Sequence, residues 1–236
     1  MSVNKREEPL KYFYQKYGFD ISRIKRIAAG EKYLGLMIDD GRIGVCATLR
    51  KRVNVGSMKD KGFPDLDNHD HRLIYTAYLN ALLNYESDYN DEKDIFDFIN
   101  FGSYKKVVMI GDFRPLVKKF RQSGLNVSVF DLYSDSEVVI PIEHREKYLG
   151  EADGVILTAT SIFNDTFVEI LKSVNEKCDV FLLGPTAILD KKMKEYRNVK
   201  VVFGTVFKKN DHLILDIIAD NEGTRHFQKF GKKVYI

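Results

Sequence analysis

The feature that most restricts this chain is a change of rhythm near residue 105. Beyond it, short apolar runs recur: KVVMI at 106–110, NVSVFD at 126–131, GVILT at 154–158, DVFLL at 179–183 and VKVVF at 199–203. Helical patterns separate them, at 114–123, 143–149, 166–174 and 190–196. A strand that is apolar along its whole length must be covered on both faces. Such strands alternating with helices predict β-α-β units with right-handed crossovers. The expected fold class is α/β, with an open, mainly parallel Rossmann-like sheet and helices on both faces. The run HLILDII at 212–218 predicts a sixth strand, and 224–230 a closing helix.

The first hundred residues read differently. PLKYFYQKY at 9–17 predicts a helix that opens on proline and stops at Gly18. Residues 24–27 and 33–38 read as strands. The turn signal Asp39-Asp40-Gly41 leads into RIGVCATL at 42–49, which predicts a β-hairpin over 33–49. A polar segment punctuated by Gly and Pro fills 50–70. A helix over 71–85 follows, with Asn68 or Asp70 as its cap, and a shorter one over 91–100. On this reading the chain divides into an α+β unit at 1–104 and a Rossmann-like unit at 105–236.

Composition removes several function classes. Hydrophobic residues at 44% and charged residues at 30% make an ordinary core-forming balance, not a disordered one. The 37 basic and 34 acidic residues leave a net charge of +3, and the basic clusters are short, so no nucleic-acid partner is expected. No apolar run reaches the ~18 residues of a membrane span, and the first residues lack a signal peptide's apolar stretch. The expected location is cytoplasmic, with no membrane partner. Cys46 and Cys178 lie far apart and predict neither a disulfide framework nor a thiolate zinc site. Cys178 reads as a small buried residue, and Cys46 as core rather than cleft.

In a doubly wound sheet, ligands bind beyond the carboxyl ends of the strands. Those ends carry Gly111-Asp112-Phe113-Arg114-Pro115, Asp131, Thr158-Ala159-Thr160-Ser161, Gly184-Pro185-Thr186 and Gly204-Thr205. Small residues let the backbone approach a ligand, while hydroxyls and helix N-terminal N–H groups can hold an anion. Asp131, about 20 residues after Gly111, stands where dinucleotide folds place a ribose-binding acid. The GxGxxG fingerprint is absent, so ordinary dinucleotide binding is not expected. Each Gly or Thr taken alone reads equally well as a turn or cap, and Asn164 or Asp165 as a cap of the next helix. Recurrence at several strand ends favours a site made of Gly111, Asp112, Phe113, Asp131, Thr160, Asn164, Gly184, Pro185, Thr186 and Thr205. Asp112, Asp131 or Asp165 could bind hydroxyls or a metal, or act as acid or base. His69 and His71, with Asp67 and Asp70, have a metal-like composition, but the spacing matches no specific site and a solvated loop entering a helix is favoured.

The chain resembles the putative heavy-metal chelation family, a prokaryotic group of unknown function. The resemblance rests on IGVCATL at 43–49, AYLNALL at 77–83, VVMIGDFRPLV at 107–117, VFDLYSD at 129–135, EADGVILTATSIFNDTFVEIL at 151–171, FLLGPTAIL at 181–189 and VVFGTVF at 201–207. It implies an enolase-N-terminal-like domain followed by an atypical Rossmann-like domain, with a cleft between them that takes a metal or metal chelate. Gly111, Phe113, Asp131, Thr160, Asn164, Gly184, Pro185 and Thr205 would face that cleft. The chain departs from the family pattern at Asp131 (commonly Glu), Ala159 (usually Gly), Thr186 (usually Ser) and 221–224, which lacks a double glycine. The cysteine-poor composition argues against thiolate chelation of a soft metal.

The leading expectation is a binding protein or enzyme for a small anionic ligand or metal chelate, with a divalent or heavy metal ion as the cofactor the resemblance raises. The competing expectations are a nucleotide-cofactor-dependent methyltransferase or oxidoreductase, and a partner-binding module. A homodimer is compatible with the sequence, although no self-complementary helix or exposed strand marks one.

Overall fold

The computed structural model describes residues 7–58, 62–86, 89 and 93–236. After α1 (Pro9–Tyr17), the strands β1 (Ile24–Ala29), β2 (Tyr33–Ile38) and β3 (Ile43–Ala47) form an antiparallel sheet in sequence order. Alternation gives its two faces different partners. Leu34, Leu36, Ile38 and Cys46 pack toward α2 (His69–Leu83), whereas Met37, Ile43 and Val45 belong to a separate outer cluster. Gly44 makes the inner contact close: a Cβ there would lie 1.9 Å from the Ala77 carbonyl oxygen and 2.4 Å from the Ala81 nitrogen.

Helix α2 is capped by Asn68, whose side chain accepts from the Asp70 and His71 N–H groups. It is buried all round, as a helix between two layers must be. Its polar groups tie it to main chain on the far side. The Asn84 amide donates to the Ala187 carbonyl at 2.9 Å and accepts from the Leu189 N–H at 2.8 Å. Buried Arg72 donates to the carbonyls of Phe163, Ile162 and Leu66 and pairs with Glu8 at 2.8 Å.

The second sheet has the order β5-β4-β6-β7-β8-β9. Its strands are β4 (Val107–Ile110), β5 (Val127–Phe130), β6 (Gly154–Thr158), β7 (Asp179–Leu183), β8 (Val199–Phe207) and β9 (Gly231–Tyr235). All pairs are parallel except β8–β9. One face packs on the core shared with α2; the other packs on α3 (Ile95–Phe98) and α4 (Arg114–Gln122) through Phe101, Leu116 and Phe120. The crossovers carry α4, α5 (Arg145–Glu151), α6 (Thr160–Phe163) and α7 (Phe167–Ser173). The expected mixed α/β class, with a small α+β portion and a mainly parallel sheet, is therefore observed. Among the described residues, no helix is long and apolar enough to cross a membrane.

One expected strand is a helix. Residues 212–218 fall in α8 (His212–Ala219), with Asp211 accepting from the Leu213 N–H. Ile214, Leu215 and Ile218 are buried at helical spacing, while Leu213 stays 44% exposed. That stripe covers the outer face of β1 and β2 together with Phe227 from α9 (Thr224–Phe227). The sixth strand is β9, antiparallel to a β8 that runs four residues past Phe203, so Gly204 and Thr205 lie within a strand and pair with Val234 and Lys233. The 190–196 segment is a 3₁₀ turn over Lys191–Glu195. Part of the expected 91–100 helix lies outside the described residues, and the described part is α3.

Candidate functional site

The register aligns the strand ends. Ile110 lies beside Phe130 and Leu157, Thr158 beside Leu183, and Leu183 beside Phe203. Chain order reverses between β4 and β6, because β4 leads to β5 on one side and β6 lies on the other. In open α/β sheets a crevice forms at that switch. Here it is a cavity of about 530 Å³.

Nine of the ten residues singled out in the sequence line this cavity: Gly111, Asp112, Phe113, Asp131, Thr160, Asn164, Gly184, Pro185 and Thr205. Thr186 does not. It is 2% exposed, and its hydroxyl oxygen accepts the Ala47 N–H at 3.0 Å, joining the β7 end to β3. Tyr33 reaches the cavity from β2, Leu49 from the turn after β3, and Thr224 and Arg225 from the α9 segment.

The β4–α4 turn is built around Gly111. Its φ of +107° is a region that favours glycine, and a Cβ would lie 3.0 Å from Thr158 Cβ. The turn's own amides are committed. The Gly111 N–H donates to the Phe130 carbonyl, the Asp112 N–H to Asp131 Oδ2, and the Phe113 N–H to the Gly111 carbonyl. Asp131 also accepts the Tyr133 N–H at 2.7 Å. Its carboxylate therefore braces two loops, and the turn holds no open row of amides for a pyrophosphate. The residue before α4, Phe113, gives it no side-chain cap, and Phe113 to Leu116 line the cavity, so the positive end of the helix borders it.

On the β6 side, the Thr158 and Thr160 hydroxyls lie 3.0 Å apart, and Ser161 donates to the Thr158 carbonyl. Asn164 Oδ1 accepts from the Thr166 N–H and hydroxyl, which makes it a brace for the start of α7 while it lines the cavity. Asp165 has φ +63°, stays exposed, and lies 3.7 Å from Arg72; it is not part of the lining.

Charge around the cavity was not foreseen from sequence. Lys93, Arg114, Lys119, Arg145, Arg225 and Lys233 line it, against Asp94, Asp112 and Asp131. Asp94 sits 3.1 Å from both Lys119 and Lys233. Burial opposes ionisation of its carboxyl, but the Phe96 N–H and the two lysines outweigh burial and hold its pKa below the usual value. The β5–α5 segment adds Leu132, Tyr133 and Ile142, all exposed large side chains on the cavity's lining. These cations and apolar residues are scattered along the chain, and no spacing signal joins them.

Metal donors do not gather. Among the described residues, no three His, Cys, Asp or Glu side chains form a group that could hold an ion. His69 opens α2 edge-on to Phe163, and burial, aided by the Lys51 charge, lowers its pKa. His71 Nδ1 accepts the Asp65 N–H at 2.9 Å, and Asp70 accepts the Asn54 N–H. Cys46 and Cys178 are free and buried; burial raises both thiols, Cys178 to about 12. Neither is a ready thiolate.

Comparison with known proteins agrees with the architecture. A protein of unknown function from Pyrococcus horikoshii superposes with a TM-score of 0.79, at 20% identity, over 97% of this chain and 98% of that one. One from Desulfitobacterium hafniense gives 0.75 at 19% identity, over 96% and 98%. At such identities the likeness speaks for the fold alone. The uncharacterized protein MJ0500 of Methanocaldococcus jannaschii is 27% identical over 150 residues, so the match spans 58% of this chain and about half, 56%, of that relative. Both superposed structures are described as DUF364 proteins. The model of that family, described as "Putative heavy-metal chelation", matches residues 94–236, more than half of the chain, and the chain therefore belongs to the DUF364 family.

Proposed function

We propose that the cavity holds a small anionic ligand, free or as a metal chelate, between the units at 1–104 and 105–236. The observation that carries this reading is convergence: small and hydroxyl-bearing residues from separate strand ends share one cavity whose basic side chains outnumber its acidic ones. A cleft lined mainly by one sign of charge concentrates ligands of the other sign. The uncapped start of α4 adds to that field. The residues do not fit a bare heavy metal ion, because no donor set gathers among the described residues and both thiols are buried. In this reading any metal arrives already held by the ligand's own donors.

Thermal unfolding of the full chain tests the reading, with inorganic phosphate, citrate and nickel citrate as probes. A ligand at a hundred times its Kd stabilises a protein by about 2.7 kcal/mol. At least one probe should raise the wild-type Tm, and Thr160→Ala should lose most of that rise. Identical responses from both chains reject the site. Native mass spectrometry adds a second arm: a co-purified small acid supports the proposal, and a co-purified nucleotide favours a cofactor-dependent enzyme instead.

A further inference from the structure

The Asp112 side chain is 6% exposed. Its Oδ2 accepts the Ser134 hydroxyl at 2.7 Å and the Arg114 Nε–H at 3.2 Å. Its Oδ1 is buried and has no hydrogen-bond partner. A buried acceptor left unpaired costs about 1–3 kcal/mol, more when charged, so it calls for a partner such as a bound water, ion or ligand. The neighbouring donors are already used, since the amides of Gly111, Asp112 and Phe113 bond elsewhere and Ser134 and Arg114 occupy the other oxygen. Asp112 nevertheless lines the cavity, beside the uncapped start of α4.

We propose that Asp112 Oδ1 selects, among the anions of the preceding section, those with a hydroxyl next to the anionic group, that is, 2-hydroxycarboxylates. The proposal rests on the anion-binding reading of this cavity. Arg114 joins the two halves of the recognition. Its Nε is fixed on Asp112, while its side chain stays 67% exposed and available to a carboxylate. A carboxylate on that guanidinium brings a hydroxyl on the adjacent carbon to the neighbouring Asp112 oxygen. A bare cation is a poorer partner, because Asp131, the nearest carboxylate in the turn, already accepts main-chain N–H groups on both oxygens.

Calorimetric titration of the full chain with two matched pairs, malate against succinate and citrate against tricarballylate, tests this directly. Each pair differs by one hydroxyl. In the wild type the hydroxylated member should bind about tenfold tighter, the worth of one hydrogen bond to a charged group. In Asp112→Asn, Ser134 and Arg114 keep the amide oxygen at the Oδ2 position, so an uncharged NH₂ group meets the ligand hydroxyl and only a neutral hydrogen bond is left. The preference should fall to about threefold, and to none in Asp112→Ser, with the affinity for succinate and tricarballylate kept. Asp112→Ser, too short to reach the hydroxyl, carries the test if the Asn variant does not fold. Equal affinities within each wild-type pair overturn the inference and leave the anion site standing. So does a preference that survives both variants, or stoichiometric Zn²⁺ binding lost in Asp112→Asn. If none of the four acids binds, the inference falls, and if phosphate also produces no response, the anion site falls with it.

Discussion

At Gly44, in the small sheet, a Cβ would lie 1.9 Å from a carbonyl oxygen of α2; at Gly184, where β7 ends, it would meet nothing within 4 Å. The first glycine closes a layer and the second leaves a space open. The surrounding residues repeat the contrast. Between the small sheet and the large one, polar side chains such as Arg72 and Asn84 are bonded to main chain that holds α2 in place. At the open end of the large sheet, Asp131 and Asn164 brace loops and the cations stand in excess. A buried oxygen without a partner occurs in both regions, Asn80 Oδ1 on α2 and Asp112 Oδ1 at the open end. Polar groups serve assembly in the closed region and, in the proposed reading, recognition at the open one.

The strongest test removes a bond on the closed side. Arg72→Leu leaves Glu8 and three carbonyls without their partner and should cost about 3–5 kcal/mol in urea unfolding. Gly44→Ala should cost roughly 3 kcal/mol or more, because the clash is with backbone that cannot move alone. Gly184→Ala faces open space and pays only for a φ of +132°, about 1–3 kcal/mol. It should also alter the response to anions, which Gly44→Ala should leave intact in the folded fraction. If the two glycines behave alike in both assays, the contrast between closed and open regions is wrong.

The smallest effect concerns pH. His69 has a folded pKa below the ordinary histidine value of 6.5, chiefly through burial. The unfolded chain then binds more protons below 6.5, so stability present above that pH is lost as pH falls toward the folded pKa. Urea midpoints measured from pH 7.5 downward should fall through this window, and less steeply in His69→Gln. Equal slopes would show that the start of α2 does not exclude the imidazolium.

The parallel sheet was legible because strands buried on both faces leave continuous apolar runs, as VVMI and VILT do. HLILDII is also a short, mainly apolar run, interrupted by Asp216, yet it forms a helix. A short apolar run does not distinguish strand from helix by periodicity. Asp211, placed to cap it, was the available signal. Most of the nine candidate residues share the cavity because strand ends are positions that topology predicts, while Thr205 lies inside β8 and Asn164 follows α6. Thr186 was misplaced because small hydroxyl residues look the same whether they face a ligand or bond a neighbouring strand. The cations were invisible: Lys93, Arg145 and Lys233 meet only through tertiary folding.

The packing of α8 on the small sheet bears on the order in which the molecule can be completed. Ala28, Met37, Ile43 and Val45 are made well before the residues that cover them, Ile214, Leu215, Ile218 and Phe227. Chains emerge at about 5–20 residues per second, so this apolar face waits roughly ten seconds or longer for its cover. Until α8 is made, this face therefore has no cover from its own chain, and a fragment ending before α8 keeps it uncovered.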